Sequence, residues 1–214
     1  MNLERFANVP ERERERVRDA YDLGEGPTLL FVGTVMPRKG VTDLVRAVGE
    51  LADREGWESV DLLVAGEDDL DGAYVAEVRE TAREVEIADS TAFPGFVPEA
   101  DLAPLYAAAD VCVVPSLEEG FGMTAVEALG AGTPVVGTRV GAIPEIIDEG
   151  VHGYVVDPGD PAALAGAIDR AVSEPARRTE TATAARDRAS EYSWKSVGEQ
   201  CARIYADVSK QRSG

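Results

Sequence analysis

Metal-ligating and redox-active side chains are nearly absent from this sequence. Its 214 residues include two cysteines and one histidine. Cys112 lies inside an apolar run and Cys201 in a late helical pattern, so neither a disulfide framework nor a metal cluster is indicated. The single His152 falls in Glu149-Gly150-Val151-His152-Gly153, a turn pattern, and is expected to be an exposed turn residue rather than a ligand or catalyst. Lysine is scarce as well, occurring only at Lys39, Lys195 and Lys210. Against 40 Asp and Glu there are 21 Lys and Arg, giving a net charge of −19. A chain without a basic footprint is a poor partner for nucleic acid or an anionic membrane, and both are excluded. No stretch approaches the roughly 18 apolar residues of a membrane span. The opening Met1-Asn2-Leu3-Glu4-Arg5-Phe6 lacks the apolar core of a secretion signal, so the expected location is cytoplasmic. There are no repeats and no low-complexity segments.

The acid is spread along the whole chain rather than gathered in a tail. That distribution suggests adaptation to high salt, where the screening length shrinks to about 3 Å and self-repulsion fades.

With 44% hydrophobic residues, the chain is long enough for one well-buried domain. Residues 1–27 are polar and include Glu11-Arg12-Glu13-Arg14-Glu15-Arg16, whose alternating signs fit a short solvated helix. Beyond them, short apolar runs at 28–32, 60–65, 91–93, 111–114, 134–136 and 154–156 read as buried strands. Helical patterns separate these runs. Leu44, Ala47, Val48 and Leu51 share one face of a helix for which Thr42 is the expected N-cap. Further helices are expected over 74–85, 101–109 with Pro104 in the first turn, and 121–129. Asp160-Pro161 opens a helix through about residue 172, and 175–209 is helical with a break near Tyr192-Ser193-Trp194. Such alternation gives right-handed βαβ units: an α/β, doubly wound, Rossmann-like parallel sheet of about six strands. Ligands bind such sheets at the carboxyl ends of the strands.

Two of the loops at those ends carry candidate chemistry. The first is Gly33-Thr34-Val35-Met36-Pro37-Arg38-Lys39-Gly40, which sets two adjacent cations before a helix start. A helix N-terminus already favours an anion, and Arg38 and Lys39 add charge suited to phosphate. The second is Pro115-Ser116-Leu117-Glu118-Glu119-Gly120-Phe121-Gly122-Met123, leading into Thr124-Ala125-Val126-Glu127-Ala128. Gly120 and Gly122 let the backbone approach a ligand where free amides begin a helix. Glu127 lies in an otherwise apolar stretch, where a carboxylate needs a partner, and the two hydroxyls of a ribose diol would supply one. Glu119 is placed to contact a sugar hydroxyl, whereas Glu118 reads as a solvated acid. Asp69-Leu70-Asp71 has the form of a metal-binding Asp-x-Asp, yet within Glu67-Asp68-Asp69-Leu70-Asp71 it reads as a solvated acidic face. A dinucleotide fingerprint is absent after the first strand, and no Gly-Lys-Ser/Thr marks a P-loop.

These pieces, in this order, resemble the C-terminal domain of glycosyltransferase family 4, of GT-B fold. Leu3-Glu4-Arg5-Phe6 resembles the segment that enters that domain, and Phe31-Val32-Gly33 with Arg38-Lys39-Gly40 its first phosphate loop. Gly95-Phe96-Val97, Leu105-Tyr106-Ala107-Ala108-Ala109-Asp110, Pro115-Ser116 and Glu119-Gly120-Phe121-Gly122 follow. Glu119 and Glu127 form the family's Glu-x7-Glu pair, ahead of Ala131-Gly132-Thr133-Pro134-Val135-Val136 and Pro144-Glu145-Ile146-Ile147.

The resemblance implies a retaining transferase whose donor is a nucleoside diphosphate sugar, UDP- or GDP-linked. Arg38 and Lys39 would hold the diphosphate beside Gly33. Glu127 would bind the ribose. Glu119 would contact the transferred sugar together with the amides of Gly120, Phe121, Gly122 and Met123. Backbone near Phe96 and Val97 would face the base. No metal or other cofactor is implied. Residues 1–27 would be an interdomain linker with a short helix, and 28–214 the nucleotide-sugar-binding domain with C-terminal helices. The partner would be an N-terminal acceptor domain missing from this chain, on which the last helix would pack. One departure is Thr34, where many members carry Arg. A stand-alone, non-catalytic nucleotide-sugar-binding module would share every motif.

Overall fold

The computed structural model describes residues 3–68, 70–173 and 178–212. Six strands form one parallel sheet: β1 (Thr28–Val32), β2 (Asp61–Ala65), β3 (Thr91–Gly95), β4 (Val111–Val114), β5 (Val135–Thr138) and β6 (Gly153–Val156). Their order across the sheet is β3-β2-β1-β4-β5-β6. The sheet grows one way from β1 to β3, and the other way from β4 to β6. β1 and β4 are neighbours in register, with Leu29 opposite Val111 and Leu30 opposite Cys112. Crossovers leave to opposite sides at this junction, which opens a crevice beyond the strand ends.

The doubly wound architecture follows from residue alternation along the central strands. Leu29, Phe31, Leu62, Val64, Val111 and Val113 face one core, while Leu30, Leu63, Ala65, Cys112 and Val114 face the other. A strand whose residues are apolar at every position can be buried only between two helical layers. The first core is closed by α3 (Val41–Ala52), α4 (Gly72–Glu84) and α8 (Pro161–Ser173). The second is closed by α1 (Glu4–Ala7), α2 (Glu11–Ala20), α5 (Glu99–Ala108), α6 (Met123–Ala131), α7 (Ile143–Ile146) and α9 (Arg178–Ser190). The alternating-charge segment does form a helix, α2. It is anchored by Val17, which is fully buried, and α1 is anchored by Phe6, whose ring meets Tyr106 edge-on at 5.8 Å.

Several helix starts differ from the sequence reading. α3 begins at Val41 with Gly40 as N-cap, not Thr42; the Thr42 hydroxyl is buried without a partner among the described residues. Gly40 has φ 65°, and a Cβ there would sit 2.0 Å from the Pro115 carbonyl oxygen, so close contact between the two loops selects glycine over a side-chain cap. α5 starts at Glu99, which puts Pro104 inside the helix rather than in its first turn. α6 starts at Met123, two residues after the expected position, because Gly122 takes a left-handed conformation with φ 80°. Asp71 caps α4, its carboxylate accepting from the Tyr74 amide at 3.1 Å. Asp69 and residues 174–177 lie outside the described residues, so the Asp-x-Asp triplet and the expected start of the last helical stretch are described only in part.

After α9 the chain turns at Tyr192-Ser193 into α10 (Trp194–Arg212). This helix leaves the body: Trp194 is 74% exposed, Ile204 63% and Tyr205 75%. Among the described residues, no helix is long and apolar enough to cross a membrane.

Candidate functional site

The β1–β4 junction brings the two candidate loops together. After β1 the chain makes one tight helical turn, Pro37–Lys39, before α3. The Arg38 carbonyl accepts hydrogen bonds from the Leu117 and Glu118 amides at 2.8 and 3.2 Å. The Thr124 hydroxyl donates to the Val32 carbonyl at 3.2 Å, which ties the start of α6 to the end of β1. These backbone links set the positions of the charged side chains.

Lys39 and Glu119 meet in this crevice. Lys39 Nζ donates to Glu119 Oε2 at 2.7 Å, and both side chains are largely buried, at 16% and 13% exposure. Glu119 also accepts from the Ser116 hydroxyl at 3.3 Å and from the Gly120 amide at 3.0 Å. Burial alone would raise the Glu119 carboxyl, but the Lys39 hydrogen bond and charge, with the Gly120 and Ser116 donors, hold it below its ordinary range. Arg38, by contrast, is exposed and its side chain has no partner among the described residues. Glu118 is exposed too, as a solvated acid should be.

The chain from Gly120 to Thr124 presents backbone rather than side chain to the crevice. A Cβ at Gly120 would meet open space. At Gly122 it would strike Ile143 Cδ1 at 2.6 Å, so packing on α7 as well as access requires glycine there. The Met123 and Thr124 amides at the head of α6 have no acceptor among the described residues. An anion at this point would meet unpaired N–H groups and the positive end of α6.

Glu127 lies one turn further along α6, with its side chain 13% exposed. The buried carboxylate does have partners from the chain itself. The Tyr106 hydroxyl donates to Oε2 at 3.0 Å, and an Arg5 guanidinium nitrogen stands 3.8 Å from Oε1. Burial raises the Glu127 carboxyl above its ordinary range, with Tyr106 and Arg5 opposing the shift. Neither residue was evident as part of the site from sequence. The signal for Tyr106 was available: its hydroxyl sits in a mainly apolar helix and needs a partner. Arg5 comes from the opening segment, and no local pattern links it to Glu127.

Gly33, Phe96 and Val97 line an adjoining cleft of about 230 Å³ with Gly66, Glu67 and Leu102. Gly33 donates its amide to Ala65 at 2.9 Å, and the Phe96 ring is 76% exposed at the rim. His152 is elsewhere; it lies in a turn as read but, contrary to the expected exposure, is buried at 5%, and its Nδ1 accepts from the Asp148 amide at 3.1 Å, the local bond that draws the ring inward.

Comparison with known proteins gives a consistent answer. The family model for glycosyl transferases group 1 matches residues 13–188. The D-inositol 3-phosphate glycosyltransferase of Corynebacterium kroppenstedtii is 35% identical over 203 residues, covering 93% of this chain and 45% of that protein. The chain thus spans about half the length of that relative. Sucrose-phosphate synthase from Thermosynechococcus elongatus superposes with a TM-score of 0.80 at 31% identity, covering 99% of this chain and 51% of that one. The crystal structure of Anabaena HepE in complex with UDP has the same fold, with a TM-score of 0.86 at 23% identity over 97% of this chain and 56% of that one. The β1–β4 crevice, its paired loops and these matches agree: the chain belongs to the glycosyl transferases group 1 family and has the Rossmann-like, GT-B-type fold of its members.

Proposed function

We propose that this chain binds a nucleoside diphosphate sugar in the β1–β4 crevice and forms the donor half of a retaining glycosyltransferase. The observation that carries the reading is the convergence of Lys39, Glu119 and the unpaired amides at the head of α6. A diphosphate needs concentrated positive charge, and Lys39, the exposed Arg38 and the α6 dipole supply it without a metal. Glu127 is the ribose ligand, the 230 Å³ cleft beside Phe96 and Val97 takes the base, and Glu119 holds a hydroxyl of the sugar. As the bond between the anomeric carbon of the sugar and the diphosphate breaks, negative charge grows on the departing diphosphate. Lys39 and Arg38 stabilise that charge, and a departing diphosphate oxygen takes the proton of the acceptor hydroxyl as the hydroxyl oxygen bonds to the anomeric carbon on the same face. That Anabaena HepE, a protein of the same fold, was solved in complex with UDP supports a nucleotide as the ligand.

The acceptor belongs to a second α/β domain. Support comes from the fraction of each relative that this chain spans and from the exposed apolar face of α10, with Trp194, Val197, Ile204 and Val208 turned away from the body. The 214-residue chain alone therefore binds UDP or GDP and transfers no sugar. The surroundings are cytoplasmic and, on the charge of −19, rich in salt. Calorimetric titration with UDP and GDP, followed by an assay of sugar release from UDP-glucose and GDP-mannose, tests the proposal. Nucleotide binding without transfer is expected. Absence of binding at millimolar nucleotide, or robust transfer by this chain alone, would refute it.

A further inference from the structure

The loop from Glu119 to Gly122 belongs to no regular element, yet its geometry decides where the α6 amides point. Phe121, in its middle, is 47% exposed. Its ring is met edge-on by Tyr192, with centroids 5.7 Å apart and planes at 72°. Tyr192 is itself fixed: its hydroxyl donates to the Glu145 carbonyl at 3.2 Å. Arg188, one turn back on α9, donates to the Ile146 carbonyl at 3.2 Å and to the Glu145 carbonyl, and lies 5.6 Å from the Tyr192 ring. Those carbonyls close α7, whose preceding turn reaches the same loop from the other side through the Ala142 amide, bonded to the Gly120 carbonyl at 3.1 Å. Arg188 on α9 and Tyr192 in the turn after it therefore grip the loop twice, by ring contact at Phe121 and through α7 at Gly120.

We infer that Tyr192, held by Arg188, is a positioning residue that fixes the loop 119–122 against α7 so that the Met123 and Thr124 amides face the diphosphate. The inference rests on the proposed donor site for its ligand, but the brace is a property of the unliganded chain. Preorganised donors act only when held close to the productive geometry, and a displacement of about 1 Å can lose much of their effect. The residue following Tyr192 begins the turn into α10, so the brace also ties the donor loop to the point where the last helix departs.

Two readouts test this on the 214-residue chain. Hydrogen exchange over 117–125 in the absence of ligand is expected to quicken about tenfold in Tyr192→Ala, with peptides from β1 and β4 unchanged. UDP affinity is expected to fall about tenfold in the same variant while uridine affinity holds, and Tyr192→Phe, which keeps the ring, should restore most of both. Phe121→Leu removes the contact from the opposite side and should quicken exchange over the same peptide, which decides the matter if Tyr192→Ala does not fold. Unchanged exchange over 117–125, equal loss of UDP and uridine, or Tyr192→Phe as impaired as Tyr192→Ala would overturn the inference. If the unmodified chain binds neither UDP nor GDP, the proposed function falls, and the exchange data still decide whether the brace exists.

Discussion

Lys39 Nζ stands 2.7 Å from Glu119 Oε2, so the cation proposed for the diphosphate and the acid proposed for the sugar are joined to each other. The two opposite charges lie in a crevice where water is partly excluded, and their attraction there is several-fold stronger than in bulk solvent. An incoming phosphate must share Lys39 with Glu119. Glu119→Gln removes that competitor, and it is expected to bind inorganic pyrophosphate about threefold to tenfold more tightly while losing the preference for UDP-glucose over UDP. Lys39→Ala should weaken pyrophosphate at least tenfold. Isothermal titration of both variants checks the pair.

Glu127 makes a prediction about pH. Its carboxyl holds a proton to higher pH in the folded chain than in the unfolded one, where the value is the ordinary 4.5. The folded state then binds more protons across that window, so this group's contribution to stability falls as pH rises from 4.5 through the raised folded value and levels off above it. Glu127→Gln keeps an acceptor for the Tyr106 hydroxyl and has no such loss. Its stability relative to the unmodified chain should increase from pH 4 to pH 7, roughly following that window. Urea unfolding at a series of pH values measures the difference, and a flat difference would contradict the assignment of burial as the dominant cause.

Gly40 joins the two loops, and its position admits no side chain. Gly40→Ala would drive a Cβ to within 2.0 Å of the Pro115 carbonyl oxygen in a backbone conformation with φ 65°. The substitution is expected to destabilise the chain by about 2–4 kcal/mol. Chemical denaturation should show that loss, and nucleotide binding should suffer with it because Arg38 and Lys39 immediately precede this residue.

The charge of −19 leads to a simpler expectation. If self-repulsion limits stability in dilute buffer, the melting temperature should climb between low and molar KCl, where the screening length falls to about 3 Å. A melting temperature that falls over the same range would rule out adaptation to salt.

The sheet was legible in the sequence because parallel strands buried on both faces are apolar at every position, as in Val111–Val114. The loops at the strand ends were legible because Arg38, Lys39, Gly120 and Gly122 are unusual residues clustered at places where such sheets bind ligands. The start of α8 at Asp160-Pro161 was legible too, but those of α3 and α6 were not, because tertiary contacts set them. Gly40 displaced Thr42 as a cap through its contact with Pro115, and Gly122 moved the head of α6 to Met123 through its contact with Ile143. The partners of Glu127 were hidden for a related reason. Tyr106 lies 21 positions away and Arg5 on a segment that reads as a polar linker, so only the fold brings them to the carboxylate. The burial of His152 was missed because a local turn pattern does not reveal that its ring folds back to the Asp148 amide.

Lys39 is proposed to hold the diphosphate and Glu127 the ribose of one nucleotide. The most direct measurement is calorimetric titration of UDP and of uridine into the unmodified chain, Lys39→Ala, Glu127→Gln and the exposed control Glu118→Gln. Loss of one charged hydrogen bond corresponds to about 1.5–3 kcal/mol, or roughly tenfold to a hundredfold in affinity. Lys39→Ala is expected to lose that much toward UDP and little toward uridine, Glu127→Gln to lose it toward both, and Glu118→Gln to behave like the unmodified chain. Unchanged UDP affinity in Glu127→Gln, or equal losses toward UDP and uridine in Lys39→Ala, would contradict this assignment.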